Sequence, residues 1–241
     1  MSLNGKMVLI TGAAKRIGRS LSLAVAQAGP DVIIHYRNSR SEAESARMEI
    51  EALGRKAFLL QADLTDAEQV ASLISRARED GSVFALINNA AIFESLDWKN
   101  STLEDWNHHL MVNLMMPFLL SQAFARSLSP GDSGRIVNML DWRVLRPGPD
   151  HLPYTISKAA LAALTRSLAV ALAPQVIVNG LALGAILPPS DGAMTGNILD
   201  NIPAHRWVNL EEVGQALIFL LDGPSYVTGE ILHVDGGRHL V

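Results

Sequence analysis

The chain has 241 residues, 49% of them apolar, a net charge of −4 and no cysteine. That length is enough for one large core, and strand–helix chains of this size commonly form a single domain. The weak negative charge excludes a general pull toward nucleic acid or anionic membrane. The absence of cysteine excludes disulfides, thiolate metal sites and cysteine nucleophiles. No segment reads as a membrane span, the run Ala216–Leu221 being far too short, and the polar start Met1–Lys6 lacks a signal-peptide core. A cytoplasmic protein without metal, nucleic-acid or membrane partners is the expectation.

Short apolar runs alternate with stretches of helical period. Val8–Ile10 reads as a first strand, and Thr11–Gly18 as the turn opening a helix over Gly18–Ala28. Val32–Ile34 follows, then a helix over Ser41–Leu53 whose Glu42, Glu44, Arg47, Glu49 and Glu51 read as a solvated face. Ala57–Leu60 and Phe84–Ile87 are further strands, separated by a helix over Asp66–Arg78. His108 and His109 are adjacent and point to different sides of a helix, so they read as surface and not as a metal pair. Met111, Met115 and Met116 read as core or helix-interface packing. Arg135–Leu140 is a buried strand ending at Asp141, Val176–Val178 another, and Gly184–Pro203 a mobile loop over the site. This alternation predicts a Rossmann-type doubly wound parallel sheet with helices on both faces, in one domain spanning 1–241. The cofactor half would lie in roughly the first 130 residues and the catalytic half in the remainder, with ligands at the carboxyl ends of the strands.

Several residues fall at that edge. The small residues around Gly12, with Arg16 and Ile17 at the helix start, would let backbone amides meet a pyrophosphate. After the second strand, His35-Tyr36-Arg37-Asn38-Ser39 carries no acid for a ribose 2′-hydroxyl, and Arg37 suits a 2′-phosphate, which favours NADPH. Asp63, followed by Leu64, could accept from an adenine amino group, with Thr65 or Asp66 left to cap the next helix. Asn88-Asn89-Ala90 could pin the adenosine side and the neighbouring backbone, or form an ordinary turn. Tyr154 and Lys158 are four apart and share a helix face. Phe93 could stack on a flat ring or pack in the core, and Trp142 and Trp207 could line a pocket or be scaffold. Asp141 could act at the site, cap a helix or pair with Arg143 or Arg146.

Together, Thr11–Gly18, Ala62-Asp63-Leu64, Asn88-Asn89-Ala90, Asn113, Tyr154/Lys158 and Asp235-Gly236-Gly237 resemble the short-chain dehydrogenase/reductase family over essentially the whole chain. Within it the chain is most similar to pteridine and dihydromonapterin reductases. The discriminating features are Arg16 in place of the middle glycine of the cofactor turn, His35-Tyr36-Arg37, Phe93, the ending Asp235–Leu240, and Asp141 where the family carries serine. The resemblance implies about seven strands, a homotetramer, and hydride transfer from NADPH to a pterin. It implies that Lys158 binds the nicotinamide ribose, that Gly184 lines the cofactor, and that Asn113 holds a helix bend and a water near Lys158. Leu183 departs from the usual proline before Gly184, and Asn38 from a second basic residue.

A carboxylate beside a developing alkoxide would repel it unless protonated, so Asp141 suits a substrate whose nitrogen collects the proton. Asp141 and Tyr154 are expected to form a proton-delivery pair, with Lys158 lowering the Tyr154 pKa and Asp141 opposing it. Phe93 would sandwich the pterin and Arg16 would face its carbonyl and ring nitrogens. A ketone or 3-oxoacyl thioester reductase, or a non-catalytic NADP sensor, are the alternatives.

Overall fold

The computed structural model describes residues 3–186 and 198–241. Seven strands form one parallel sheet in the order β3-β2-β1-β4-β5-β6-β7. They are β1 Met7–Ile10, β2 Asp31–Tyr36, β3 Ala57–Gln61, β4 Val83–Asn88, β5 Gly134–Asp141, β6 Val176–Leu183 and β7 Ile231–Val234. β1, β4 and β6 are buried along their whole length, which explains their unbroken apolar runs: helices cover both faces.

One face packs against α1 (Arg16–Gln27), α2 (Arg40–Ala52) and α7 (Leu210–Asp222). The other packs against α3 (Ala67–Ala77), α5 (Met116–Ser127) and α6 (Leu152–Leu172), with α4 (Leu103–Leu110) lying alongside α6. Local chemistry sets several helix starts. Asp66 caps α3 by accepting from the Glu68 and Gln69 amides, and Thr102/Asp105 and Asn209/Glu212 form capping boxes on α4 and α7. The chain runs from β1 outward to β3 and then returns to β4 on the other side of β1. That reversal opens a crevice at the carboxyl ends of β1 and β4.

Four expectations are corrected. His109 is fully buried, because α4 packs on α6 and one of two adjacent histidines must turn inward; its Nδ1 bonds the Asp105 carbonyl at 2.8 Å. Met111 and Met115 stay exposed and only Met116 enters the core. The acidic face of α2 is not merely solvated: Glu49 pairs with Arg19 of α1, and Glu42 with Lys15. By length and composition α6 is long and apolar enough to cross a membrane, which the sequence reading denied. Here it packs against β5 and β6, burying Leu161, Leu168 and Ala169, with Lys158 turned toward the sheet edge.

Candidate active site

The turn after β1 is tied to its neighbours by side chains that face the protein. Thr11 Oγ1 accepts from the Asn89 and Ala90 amides at 2.9 and 3.0 Å. Asn89 Nδ2 donates to the Thr11 and Gly12 carbonyls at 2.9 and 3.2 Å. Asn89 therefore pins neighbouring backbone, one of its two expected roles, and its amide donor is committed there. Gly12 has φ 62°, and a Cβ there would sit 3.0 Å from Ala90 Cα. Arg16 also takes a left-handed conformation, φ 51°, which costs a non-glycine residue about 1 kcal/mol. The first turn of α1 has no side-chain cap and no acidic residue, and Ile17 is half-buried behind it.

Three of the expected cofactor residues at this end have their side chains taken up by the protein. His35 is buried, accepting from the Gly12 amide through Nδ1 and bonding the Ala62 carbonyl through Nε2, each at 3.1 Å. Both ring nitrogens are used by the protein, so His35 braces the turn from beneath. Burial, helped by the Arg76 charge, pushes its pKa down to about 4 against the opposing pull of the Ala62 carbonyl. Tyr36 and Leu64 put their side chains into the two core clusters and offer only backbone at the edge. Arg37 and Asn38 are exposed beyond β2 and Ser39 precedes α2. Asp63 Oδ1 accepts from the Thr65 amide and hydroxyl, while Asp66 is the cap.

At the other end, β5 delivers Asp141 and α6 delivers Tyr154 and Lys158. The Tyr154 hydroxyl donates to Asp141 Oδ2 at 3.1 Å, and Asp141 Oδ1 accepts from the Arg143 amide at 2.9 Å. The Arg143 guanidinium lies 3.7 Å from Asp141 and 3.0 Å from Asp150. Asp141 thus combines the readings left open: it caps the short 3-10 turn Trp142–Val144, pairs with Arg143 and holds Tyr154. Lys158 is buried and donates to the Met139 carbonyl at 2.8 Å. A π-helical turn over Met111–Met115 carries Asn113, which bonds the Ile92 backbone on both sides and donates to Ser157 Oγ at 3.0 Å. Asn113 so supports the bend and the 92–93 segment. Phe93 is 54% exposed, stacked on His151 at 4.0 Å and edge-on to Tyr154 at 4.6 Å, so it does not belong to the core.

Burial raises the Asp141 pKa against the opposing pull of the Arg143 amide and charge. Burial and then the Asp141 charge push Tyr154 well above its ordinary value. The Lys158 ammonium is turned to Met139 and lies 5.9 Å from the phenol ring centre. Burial lowers Lys158 itself to about 8, and Asp141 partly offsets this.

A family model described as enoyl-(acyl carrier protein) reductase matches residues 12–239. The chain belongs to the short-chain dehydrogenase/reductase family. A 3-oxoacyl-[acyl-carrier-protein] reductase of Synechocystis sp. is 32% identical, covering 98% of each chain. Gluconate 5-dehydrogenase of Gluconobacter oxydans is 33% identical, covering 98% of this chain and 95% of its own. Among solved structures, FolM alternative dihydrofolate reductase 1 from Brucella canis, complexed with NADP, superposes with a TM-score of 0.92. It is 33% identical and covers 100% of this chain and 97% of its own.

Within this short-chain reductase the donor set suits a dinucleotide. The uncapped, acid-free start of α1 opens at the crevice, and no carboxylate ion-pairs with Arg37 among the described residues. Gly184 closes the far side: its amide donates to the Val234 carbonyl, and a Cβ would sit 2.6 Å from Asp235 Cα. The 187–197 part of the expected loop lies outside the described residues. Sequence reasoning missed His151, the ring on which Phe93 stacks. No spacing rule reveals it, because its Nδ1 meets the Glu94 carbonyl 57 residues away. It also weighed Arg143 only as a partner for Asp141, whereas Arg143 bridges two carboxylates.

Proposed function

We propose that this short-chain oxidoreductase reduces the C=N bond of a dihydropterin at the expense of NADPH. The observation that carries the reading is the 3.1 Å hydrogen bond between Tyr154 and Asp141, with Asp141 where serine would serve a ketone. The cofactor is NADP(H), for which Arg37, Asn38 and Ser39 form the 2′-phosphate side and Lys158 the nicotinamide-ribose side. When bound, it supplies hydride to the carbon of the reducible bond.

The chain's own task is the proton. Tyr154 stays protonated because burial and Asp141 disfavour tyrosinate, so it gives up a proton only if another arrives. Asp141, its pKa raised by burial, lies 3.1 Å away as the group through which that proton passes. Tyr154 protonates the substrate nitrogen, and Asp141 returns a proton to the phenol oxygen. Phe93 offers an exposed ring face beside Tyr154 for the flat bicycle, worth about 0.5–1.5 kcal/mol beyond burial, and Arg16, at the start of α1, is the residue assigned to its oxygen and ring nitrogens. A homotetramer belongs to this reading and is checked by light scattering.

Reduction of a 3-oxoacyl thioester is the second reading, favoured by the 3-oxoacyl reductase relative. A protonated Asp141 could donate to a ketone oxygen. NADPH oxidation is followed anaerobically with dihydromonapterin, dihydrobiopterin, dihydrofolate and a 3-oxoacyl thioester side by side. Dihydropterin turnover that is lost in Tyr154→Phe supports the first reading; turnover of the thioester alone replaces it with the second.

A further inference from the structure

Beyond Asp141 lies a ladder of rings and guanidinium groups that proton delivery does not use. The Arg143 guanidinium carbon is 5.9 Å from the centre of the Phe93 ring and 4.9 Å from that of Trp142. The Arg238 guanidinium carbon is 4.1 Å from the Trp142 ring centre. The two arginines differ in what balances their charge. Arg143 pairs with Asp150 and Asp141. Arg238 forms no ion pair among the described residues, and the nearby carboxylates are committed elsewhere. Asp141 serves Tyr154 and Arg143, Asp150 serves Arg143, and Asp235 accepts from the Gly237 and His239 amides and bonds the His239 ring at 2.7 Å.

Arg238 is also held in place. Asp235 braces a turn through Gly236 and Gly237, with φ of 64° and 85°, and that turn sets Arg238 over Trp142. Partial burial and the Arg143 charge disfavour its cation, while the Asp141, Asp150 and Asp235 charges support it from beyond ion-pair distance. None of those carboxylates comes within ion-pair distance of this guanidinium, whose fork matches a carboxylate or phosphate.

We propose that Arg238 is a specificity-determining residue that binds an anionic group, carboxylate or phosphate, at the far end of the substrate, with Trp142 supporting the span between that group and Tyr154. This rests on Tyr154 and Asp141 facing the reducible bond, and it narrows the substrate class to molecules with an anionic tail.

The test compares kcat/KM for a neutral dihydropterin, for dihydrofolate with its two carboxylates, and for a dihydropterin with a phosphorylated side chain. Wild type, Arg238→Gln and Arg238→Lys are measured at one ionic strength. Arg238→Gln should cut the anionic-to-neutral ratio about 10–100-fold, mainly through KM, and Arg238→Lys should recover part of it. The ratio within one preparation is independent of its folded fraction, so a purely structural role of Arg238 would not move it. A drop on the carboxylate arm or the phosphate arm identifies the group bound; an unchanged ratio on both overturns the proposal. If no pterin is consumed, the function proposed above fails by itself. The same ratio for a 3-oxoacyl coenzyme A against its neutral N-acetylcysteamine thioester then decides the role of Arg238: a drop supports it, and no change overturns it.

Discussion

Tyr154 gives its phenolic hydrogen to Oδ2 of Asp141 over 3.1 Å, where Tyr154 is 7% exposed and the Asp141 side chain 14%. Neither group can change charge there without affecting the other. Asp141→Asn keeps the shape and removes the titrating proton, so dihydropterin turnover should fall about 10²–10⁴-fold with folding intact. Asp141→Ser should retain a hydroxyl for ketones and shift preference toward the 3-oxoacyl thioester. Steady-state rates with both substrates check this, and pterin turnover left untouched by either change would refute proton delivery by Asp141.

Lys158 sets the alkaline limit. Burial brings its pKa down to about 8, so it loses its charge as pH rises through that value. In the free enzyme, kcat/KM for NADPH should fall on the alkaline side near pH 8. The Asp141 charge supports the Lys158 cation, so Asp141→Asn should move this limb to lower pH. A pH profile of both proteins reads the shift.

His35 makes stability depend on pH. Its folded pKa, about 4, lies below the ordinary histidine value of 6.5, so below pH 6.5 the unfolded chain binds the extra proton. The contribution of His35 is therefore complete above pH 6.5 and lost as pH falls toward 4. It amounts to about 3 kcal/mol over that window. Denaturant melts between pH 4 and 7 should show a slope that is reduced in His35→Gln, which cannot take up the proton.

Gly18 marks the closest approach in the cofactor turn. A Cβ there would overlap the Gly12 carbonyl oxygen and sit 2.8 Å from Asn89 Nδ2. Both belong to the hydrogen-bonded turn and cannot give way cheaply. Gly18→Ala should cost about 1–3 kcal/mol and weaken NADPH binding together, measured by thermal melting and fluorescence titration. A variant of unchanged stability and affinity would contradict this packing.

The amino-acid pattern by itself determined the alternation of buried strands and helices, and with it the doubly wound sheet. Unbroken apolar runs such as Phe84–Ile87 arise only where both faces of a strand are covered. Tyr154, Lys158 and Asp141 were legible as positions too, because a strand end and helical spacing place them, whereas Asn113 came from the family resemblance alone. Only the tertiary structure decided what each polar side chain spends its hydrogen bonds on. His35 and Asn89 stand at the cofactor edge in sequence, yet their partners Gly12 and Thr11 lie 23 and 78 residues away and draw both side chains into the scaffold. His109 turned inward because α4 meets α6, and Phe93 stayed out because His151 and Tyr154 hold it from one side. Local spacing says which way a side chain leaves the backbone; the long-range partner determines whether it remains available for a ligand.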